Sequence, residues 1–260
     1  MKDKVSILVL SCDKYKDLWP IFDFFFKKNW ENSYLKKYFL SNNEKNVPKG
    51  FKSISVGKDI SWSNNLDLAL NDIDTPYVFL LLDDAFINNK IDNEKLEKIF
   101  SDFEDNKGNY LKFISQPKSP YKTKSPFFNE LPKGSLYRST AVFAIWKVNV
   151  LKKILKSDEN AWEFEEFGSI RSDNFSNFFV VNNDFFKNPI HGVVKGEFLF
   201  NTYNLFKKKY PELLPLIKRE VNGRNGKIRQ AQINLRHKLF YALVPLTKRR
   251  AVKSFFQKFF

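Results

Sequence analysis

Tyr77-Val-Phe-Leu-Leu-Leu-Asp-Asp-Ala-Phe86 is a six-residue apolar run that ends in two adjacent carboxylates, Asp83 and Asp84. A run of that length, aromatic and aliphatic with no polar alternation, reads as a strand buried on both faces of a parallel sheet. Burying two unpaired carboxylates inside such a strand is prohibitively costly, so the acids belong where it emerges, at the carboxyl end of the sheet. Open α/β folds bind their ligands at that end. The pair is therefore a place for a divalent cation and a phosphorylated ligand.

Working outward, Val5 to Leu10 is a first strand with Ser11, Cys12 and Asp13 as its exit loop, and Asp17 to Asn29 reads as an aromatic-rich helix. Tyr38 to Asn42 is a second strand. Pro48 and Gly50 mark a turn before Phe51 to Val56, a half-buried third strand. Ser61 or Ser63 caps a helix that places Leu66, Ala69, Leu70 and Ile73 on one face, and Thr75-Pro76 ends it before the acid-tipped strand. Strand, helix, strand, strand, helix, strand is a nucleotide-binding α/β order. Further on, a helix is expected near Asn93 to Asp105, then strands at Tyr110 to Ser115, Thr140 to Trp146, Phe178 to Val181 and His191 to Val194. Short helices are expected at Asn149 to Lys156 and across Asn160 to Phe167. Residues 116–133 contain Pro117, Pro120, Pro126 and Pro132 without periodicity, which marks a functional loop at the site or a mobile one.

The 260 residues, 43% apolar and 28% charged, suit one large α/β domain or one domain with an appendage. A single cysteine, Cys12, excludes an internal disulfide and a cysteine-rich zinc site. No leader-like segment and no apolar run of about 20 residues is present, so the expectation is a cytoplasmic chain. The net charge of +15 is unevenly spread: residues 204–260 hold 15 Lys and Arg against Glu212 and Glu220, while residues 1–203 hold 29 against 27. This divides the chain into a nearly neutral domain, 1–203, and a basic, aromatic, helical extension, 204–260. With no nucleic-acid motif in the chain, no nucleic acid is expected. Leu235, Leu239, Phe240 and Leu243 among Arg236, Lys238, Lys248, Arg249 and Arg250, and the terminal phenylalanines up to Phe260, suit an anionic membrane surface. The plain alternative is a solvated basic face or a Phe-rich end packed back on the body.

Four segments together resemble the GT-A glycosyltransferases of bacterial surface polysaccharide and lipooligosaccharide synthesis. They are Val5-Ser-Ile-Leu-Val-Leu-Ser-Cys-Asp-Lys-Tyr15, Trp62 to Leu70 running into Thr75 to Asp84, Trp162-Glu-Phe-Glu-Glu166, and His191-Gly-Val-Val-Lys-Gly196. The resemblance covers about residues 5–198 as element order. It implies a Rossmann-like, mixed but mostly parallel sheet flanked by helices. It also implies transfer of a sugar from a nucleotide-diphosphate sugar to a hydroxyl of a glycan or lipid-linked acceptor, with a divalent metal, Mn or Mg, at the diphosphate. By the same resemblance Asp13 contacts the base, Asp83 the ribose, and Trp62 and Lys195 the donor. Asp84 and His191 hold the metal, and Glu165, or second Glu163, is the base at the acceptor hydroxyl. A hard cation on phosphate oxygens stabilises the charge that develops on the leaving diphosphate, and one or two carboxylates suffice to hold it.

The family pattern is usually Asp-any-Asp, whereas this chain reads Asp83-Asp84-Ala85, so either Asp84 supplies the metal ligand in a shifted register or metal binding is weaker or absent. Other readings of these residues stay open. One acid can cap a turn, the 162–166 segment can be an ordinary amphipathic helix, and His191 can be a packed residue. A membrane-peripheral location follows from the tail. Two alternatives from outside this reading are a sugar nucleotidyltransferase, for which Ser11-Cys-Asp-Lys-Tyr15 lacks the expected glycine-rich loop, and a non-catalytic basic protein that docks on membrane or nucleic acid.

Overall fold

The structure, a computed structural model, describes residues 1–223 and 243–257. Leu235, Arg236, His237, Lys238, Leu239, Phe240, Phe259 and Phe260 lie outside the described residues.

The acid-tipped run is a central strand. β1 (Val5–Leu10), β2 (Lys36–Ser41), β3 (Lys52–Ser55) and β4 (Tyr77–Leu82) are parallel and lie in the order β3-β2-β1-β4. The sheet continues through β8 (Ala144–Lys147), β6 (Tyr110–Lys112), β9 (Phe178–Val181) and β7 (Phe128–Glu130), giving eight strands. β8 is antiparallel to both neighbours and β7 is antiparallel to β9, while β6 and β9 are parallel. The fold class is thus α/β, as the strand pattern predicts, with the mixed, mostly parallel sheet that the resemblance implies. β1 lies between β2 and β4, so the chain order reverses at the β1/β4 junction, which is where such sheets open a crevice.

Alternate residues of the central strands feed two cores. Val5, Ile7, Val9, Phe79 and Leu81 join one, with Phe22, Phe25 and Trp30 of α1 (Trp19–Trp30) and Phe100 and Phe103 of α3 (Asn93–Asp105). Leu8, Leu10, Val78 and Leu80 join the other, with Leu66 and Leu70, Leu151 and Ile154 of α4 (Val148–Ile154), and Phe164. Both faces being covered explains why β1 and β4 show no polar alternation. Ser61 is the cap of α2 (Trp62–Ala69), its side chain accepting from the Asn64 N–H at 3.1 Å.

The Asn160 to Phe167 helix is longer and less regular than its sequence implies. α5 (Ala161–Glu163) passes through a π-helical stretch, Phe164–Gly168, into α6 (Ser169–Arg171). A Cβ on Gly168 would lie 3.1 Å from the Phe164 ring and 3.3 Å from Ser139 Oγ, so a larger residue there would require those side chains to shift by a few tenths of an ångström.

The boundary expected at residue 203 falls inside α7 (Phe200–Lys209). Phe206 of that helix is fully buried against Phe25 and Phe86 of the main core. Val221 then bridges Phe198, so at least residues 204–221 belong to the domain. The terminal helix Arg249–Gln257 also packs on the body: Arg250 pairs with Asp173, and Lys253 Nζ lies 3.3 Å from Glu166. Among the described residues, no helix is long and apolar enough to cross a membrane.

Candidate functional site

At the β1/β4 junction a cleft of about 510 Å³ opens over the carboxyl ends of the strands. Its floor is Leu10, Ser11, Leu82, Asp83 and Asp84, and one wall is Asp59, Trp62 and Asn65 with Trp162. Lys195 lines it too. Lys195 and Gly196 both have positive φ, 52° and 85°, and form the two-residue turn between β11 (Val193–Val194) and β12 (Glu197–Phe198). Two left-handed residues in succession give the hairpin turn whose twist matches its strands, and this sets the lysine at the tip.

The two acids differ in environment. Asp83 is buried at 4% exposure, and its Oδ2 accepts from Ser11 Oγ, which in turn accepts from Trp19 Nε1 at 2.7 Å. Burial first, and then the charge of Asp84, raises the Asp83 carboxyl well above its ordinary range. Asp84 is half-buried, and burial pushes its carboxyl up to about 6 against the opposing pull of its own backbone amide and of Arg219. Two neighbouring acids that resist ionising together form a site that gains from a cation.

Metal fit can be judged from the donors. Asp84 presents its carboxylate to the cleft with Asp83 beside it, which fits a hard cation completed by ligand phosphates. A set of three protein ligands is not formed: among the described residues no cluster of three His, Cys, Asp or Glu exists. His191 is outside the cleft lining. It belongs to β10 (Ile190–His191), paired antiparallel with β5 (Ala85–Phe86) and opposite Ala85; it is exposed, and the surrounding protein lowers its basicity. Ala85 is 1% exposed and faces the core with Phe86 and Phe25, so a third carboxylate there would be buried among rings. Gly192 is equally constrained, since a Cβ would lie 3.0 Å from the Phe86 ring, and its N–H donates to the Asp84 carbonyl at 2.7 Å.

Asp13 is not in the cleft lining either. Its carboxylate accepts from the amides of Asn42, Asn43 and Glu44 at 2.9, 3.0 and 3.3 Å, clamping the β2 exit loop to the β1 exit loop. The acid that does line the cleft is Asp59, whose Oδ1 accepts from Asn65 Nδ2 at 2.8 Å. Cys12 lines the cleft too, and burial with the nearby Asp83 charge raises its thiol, which disfavours a nucleophilic thiolate.

Arg219 was not singled out in the sequence. It makes a two-pronged ion pair with Asp17 (2.8 and 2.8 Å), lies 4.2 Å over the Tyr15 ring, and donates to the carbonyls of Lys14 and Gly196. It thereby ties the β1 exit loop to the Lys195 hairpin and places a cation near both acids. Nothing local announces this pairing, because its partners are 202 positions apart in the chain.

Of the two glutamates, Glu163 is used by its own helix. Its Oε2 accepts from the Asn160 N–H at 2.9 Å while Asn160 Oδ1 accepts from the Glu163 N–H at 3.0 Å, a capping box. Glu165 sits on the π-helical turn, where its Oε1 accepts from the Ala141 N–H at 3.2 Å. Burial raises its carboxyl, opposed by Lys112 and by the Ala141 amide. Lys112, the last residue of β6, is itself lowered to about 8 by burial, with Glu165 and Asp184 pulling it back. Glu165 does not line the cleft, but Trp162 on the same helix does, and Ala141 precedes β8 at the edge where β4 and β6 end. Trp62 packs on Phe164 at 5.2 Å, the Ser63 N–H donates to the Glu159 carbonyl at 3.1 Å and the Glu159 N–H donates to Ser63 Oγ at 3.0 Å, so α2 and the Glu165 helix are held as one unit.

Fold and site together define an α/β domain with an acid-floored, aromatic-walled cleft at the strand-order reversal, suited to a phosphorylated ligand. No family model matches the chain, and no curated protein matches it. Solved structures with a similar arrangement include S. aureus TarS 1-349 in complex with UDP-GlcNAc, 12% identical over 70% of this chain and 56% of that one, with a TM-score of 0.45. A cytidylyltransferase from Leptospira borgpetersenii is 13% identical over 81% of this chain and 96% of that one, TM-score 0.45. The galactosyltransferase LgtC, in complex with donor and acceptor sugar analogs, is 13% identical over 77% and 78%, TM-score 0.39. This chain thus spans little more than half of the TarS fragment. Overlap so loose leaves function to be argued from the chain's own residues.

Proposed function

We propose that this protein is a GT-A-type glycosyltransferase that moves a sugar from a nucleotide-diphosphate sugar to a hydroxyl of a glycan or lipid-linked acceptor. The observation that carries the reading is the pair Asp83 and Asp84, both raised by burial, on the floor of the cleft at the β1/β4 junction, which Lys195 also lines. A diphosphate with a divalent cation satisfies both the acids and the lysine, and neither ligand alone does so.

In this reading Asp84 holds the cation, Mn or Mg, with Asp83 beside it and fixed by Ser11. The cation supplies charge stabilisation at the departing diphosphate. Lys195 contacts the phosphates, and Arg219 holds the hairpin that carries it. Trp62 and Trp162, the latter 72% exposed, provide flat apolar surface for a sugar or base. Asp59, rather than Asp13, is the acid within reach of a base or ribose in the cleft. Glu165 accepts the acceptor's hydroxyl proton: its raised carboxyl is a stronger base than an ordinary glutamate, and the Ala141 amide fixes its direction. His191 and Glu163 take no direct part. The basic tail brings the enzyme to an anionic membrane surface; Arg250 and Lys253 are engaged by Asp173 and Glu166, which leaves that contact to other tail residues.

Turnover tests the reading. A panel of nucleotide sugars is incubated with the protein, Mn²⁺ and a saccharide acceptor mixture, and released nucleoside diphosphate is measured. The wild type releases diphosphate from at least one donor, and Asp84→Asn lowers the rate by at least about 100-fold. No release from any donor, or equal rates in the variant, contradicts the proposal. Pyrophosphate formed from a nucleoside triphosphate and a sugar phosphate identifies nucleotidyl transfer instead.

A further inference from the structure

A second cleft, of about 360 Å³, lies at the far end of the same carboxyl edge, beneath the proline-rich segment 116–133. That segment is laced into the fold. Lys122 bridges Asn129, the Glu130 N–H donates to the Tyr121 carbonyl at 2.8 Å, Asn129 Nδ2 donates to the Ser119 carbonyl at 2.6 Å, and Ser125 Oγ donates to Asp102 at 2.7 Å. The cleft is therefore a built feature.

Its chemistry is one-sided. Lys118 and Lys122 line it, no acid does, and neither lysine is in an ion pair among the described residues. Asn182 also lines it. The Asn182 Nδ2 donates to the Pro126 carbonyl at 2.9 Å, which fixes the amide's orientation because a carbonyl only accepts, and Oδ1 is left buried without a partner. Tyr121, beside Lys122 in the chain, is 46% exposed. Two lysines without ion pairs in a cleft that no acid lines describe a site for a phosphate or carboxylate group; the Asn182 oxygen is closed off from the cleft, and the Tyr121 ring is not part of its lining.

Position links this cleft to the reaction. Val180, in its wall, pairs directly with Lys112, the cation whose charge acts on Glu165. Three strand spacings separate β9 from β4, so the cleft lies about 14 Å along the edge from the acid pair, with Glu165 between.

We infer that the 116–133 cleft is a subsite for an anionic saccharide, phosphorylated or carboxylated, and that it recognises a charged unit of the acceptor. Anion binding stands on the cleft itself; that the anion is carried by a saccharide of the acceptor rests on the function proposed above.

The test measures binding of glucose 6-phosphate, glucuronate and glucose by ligand-observed NMR to the full-length wild type, to Lys118→Ala/Lys122→Ala and to Asp84→Asn. Both lysines are exposed, so the double variant keeps the fold. Wild type binds one or both anionic sugars in preference to glucose, and which of them binds separates phosphate from carboxylate. The double variant weakens that binding at least about tenfold, while UDP binding and Asp84→Asn's sugar binding stay unchanged. Equal binding of glucose, no anionic sugar bound by wild type, or full binding in the double variant overturns the subsite. If the wild type with Mn²⁺ binds none of a panel of nucleoside diphosphates while the anionic sugar still binds, the donor reading is overturned and the subsite is left intact.

Discussion

Asp84→Asn should stabilise the ligand-free protein at neutral pH while it disables the site. The folded chain holds the Asp84 carboxyl at about 6 against an ordinary 3.8, chiefly by burial, which amounts to about 3 kcal/mol of charge-burial cost once the group is ionised. Because the folded value is the higher one, this cost is absent below the unfolded pKa near 3.8. It grows as pH rises and is complete above about 6. Asparagine keeps the shape and removes the charge, and it also relieves Asp83, whose own carboxyl is raised by Asp84. Allowing for the amide's own desolvation, the gain at pH 7.5 is about 1–3 kcal/mol, a rise in Tm of several degrees. Thermal and urea unfolding of chelator-treated wild type and variant, at pH 7.5 and near pH 4, measure it. A variant that is no more stable at pH 7.5, or a gain that persists unchanged near pH 4, would refute the electrostatic account of the pair.

Glu165→Gln should lower turnover by about 10²–10⁴-fold with donor affinity retained, measured as kcat and donor Kd separately. Glu163→Ala removes a capping box and costs about 1 kcal/mol of stability by urea midpoint, with turnover changed far less than in Glu165→Gln. Arg138 is 1% exposed, donates to the carbonyls of Leu131, Ser172 and Phe175 and stacks 4.1 Å over Phe178; Arg138→Ala should cost about 3 kcal/mol, since it strands buried carbonyls.

Much of this architecture was legible because its causes are local. Continuous apolar runs mark β1, β4 and β9, a capping serine at 61 or 63 marks the start of α2, and the cost of burying Asp83 and Asp84 puts them at the strand tip. The same reasoning could not see that Asp13 would spend its oxygens on three backbone amides, since that depends on where the β2 exit loop comes to lie. Nor could it rank Glu163 below Glu165 by burial alone; the capping box, an Asn-x-x-Glu pattern at Asn160, was the available signal. Arg219 and the β7 strand within 116–133 depend on contacts far apart in the chain. The divide at residue 203 followed charge, but Phe206 follows hydrophobic burial, and burial decides where a domain ends.

The central claim is that Asp83 and Asp84 hold a cation-bound nucleotide diphosphate, and donor binding by calorimetry tests it most directly. Titration of nucleoside diphosphates and their sugars into the wild type, with Mn²⁺ and with chelator, should give metal-dependent binding that Asp83→Asn and Asp84→Asn each weaken at least about tenfold. Binding that ignores both the metal and the two substitutions would contradict it.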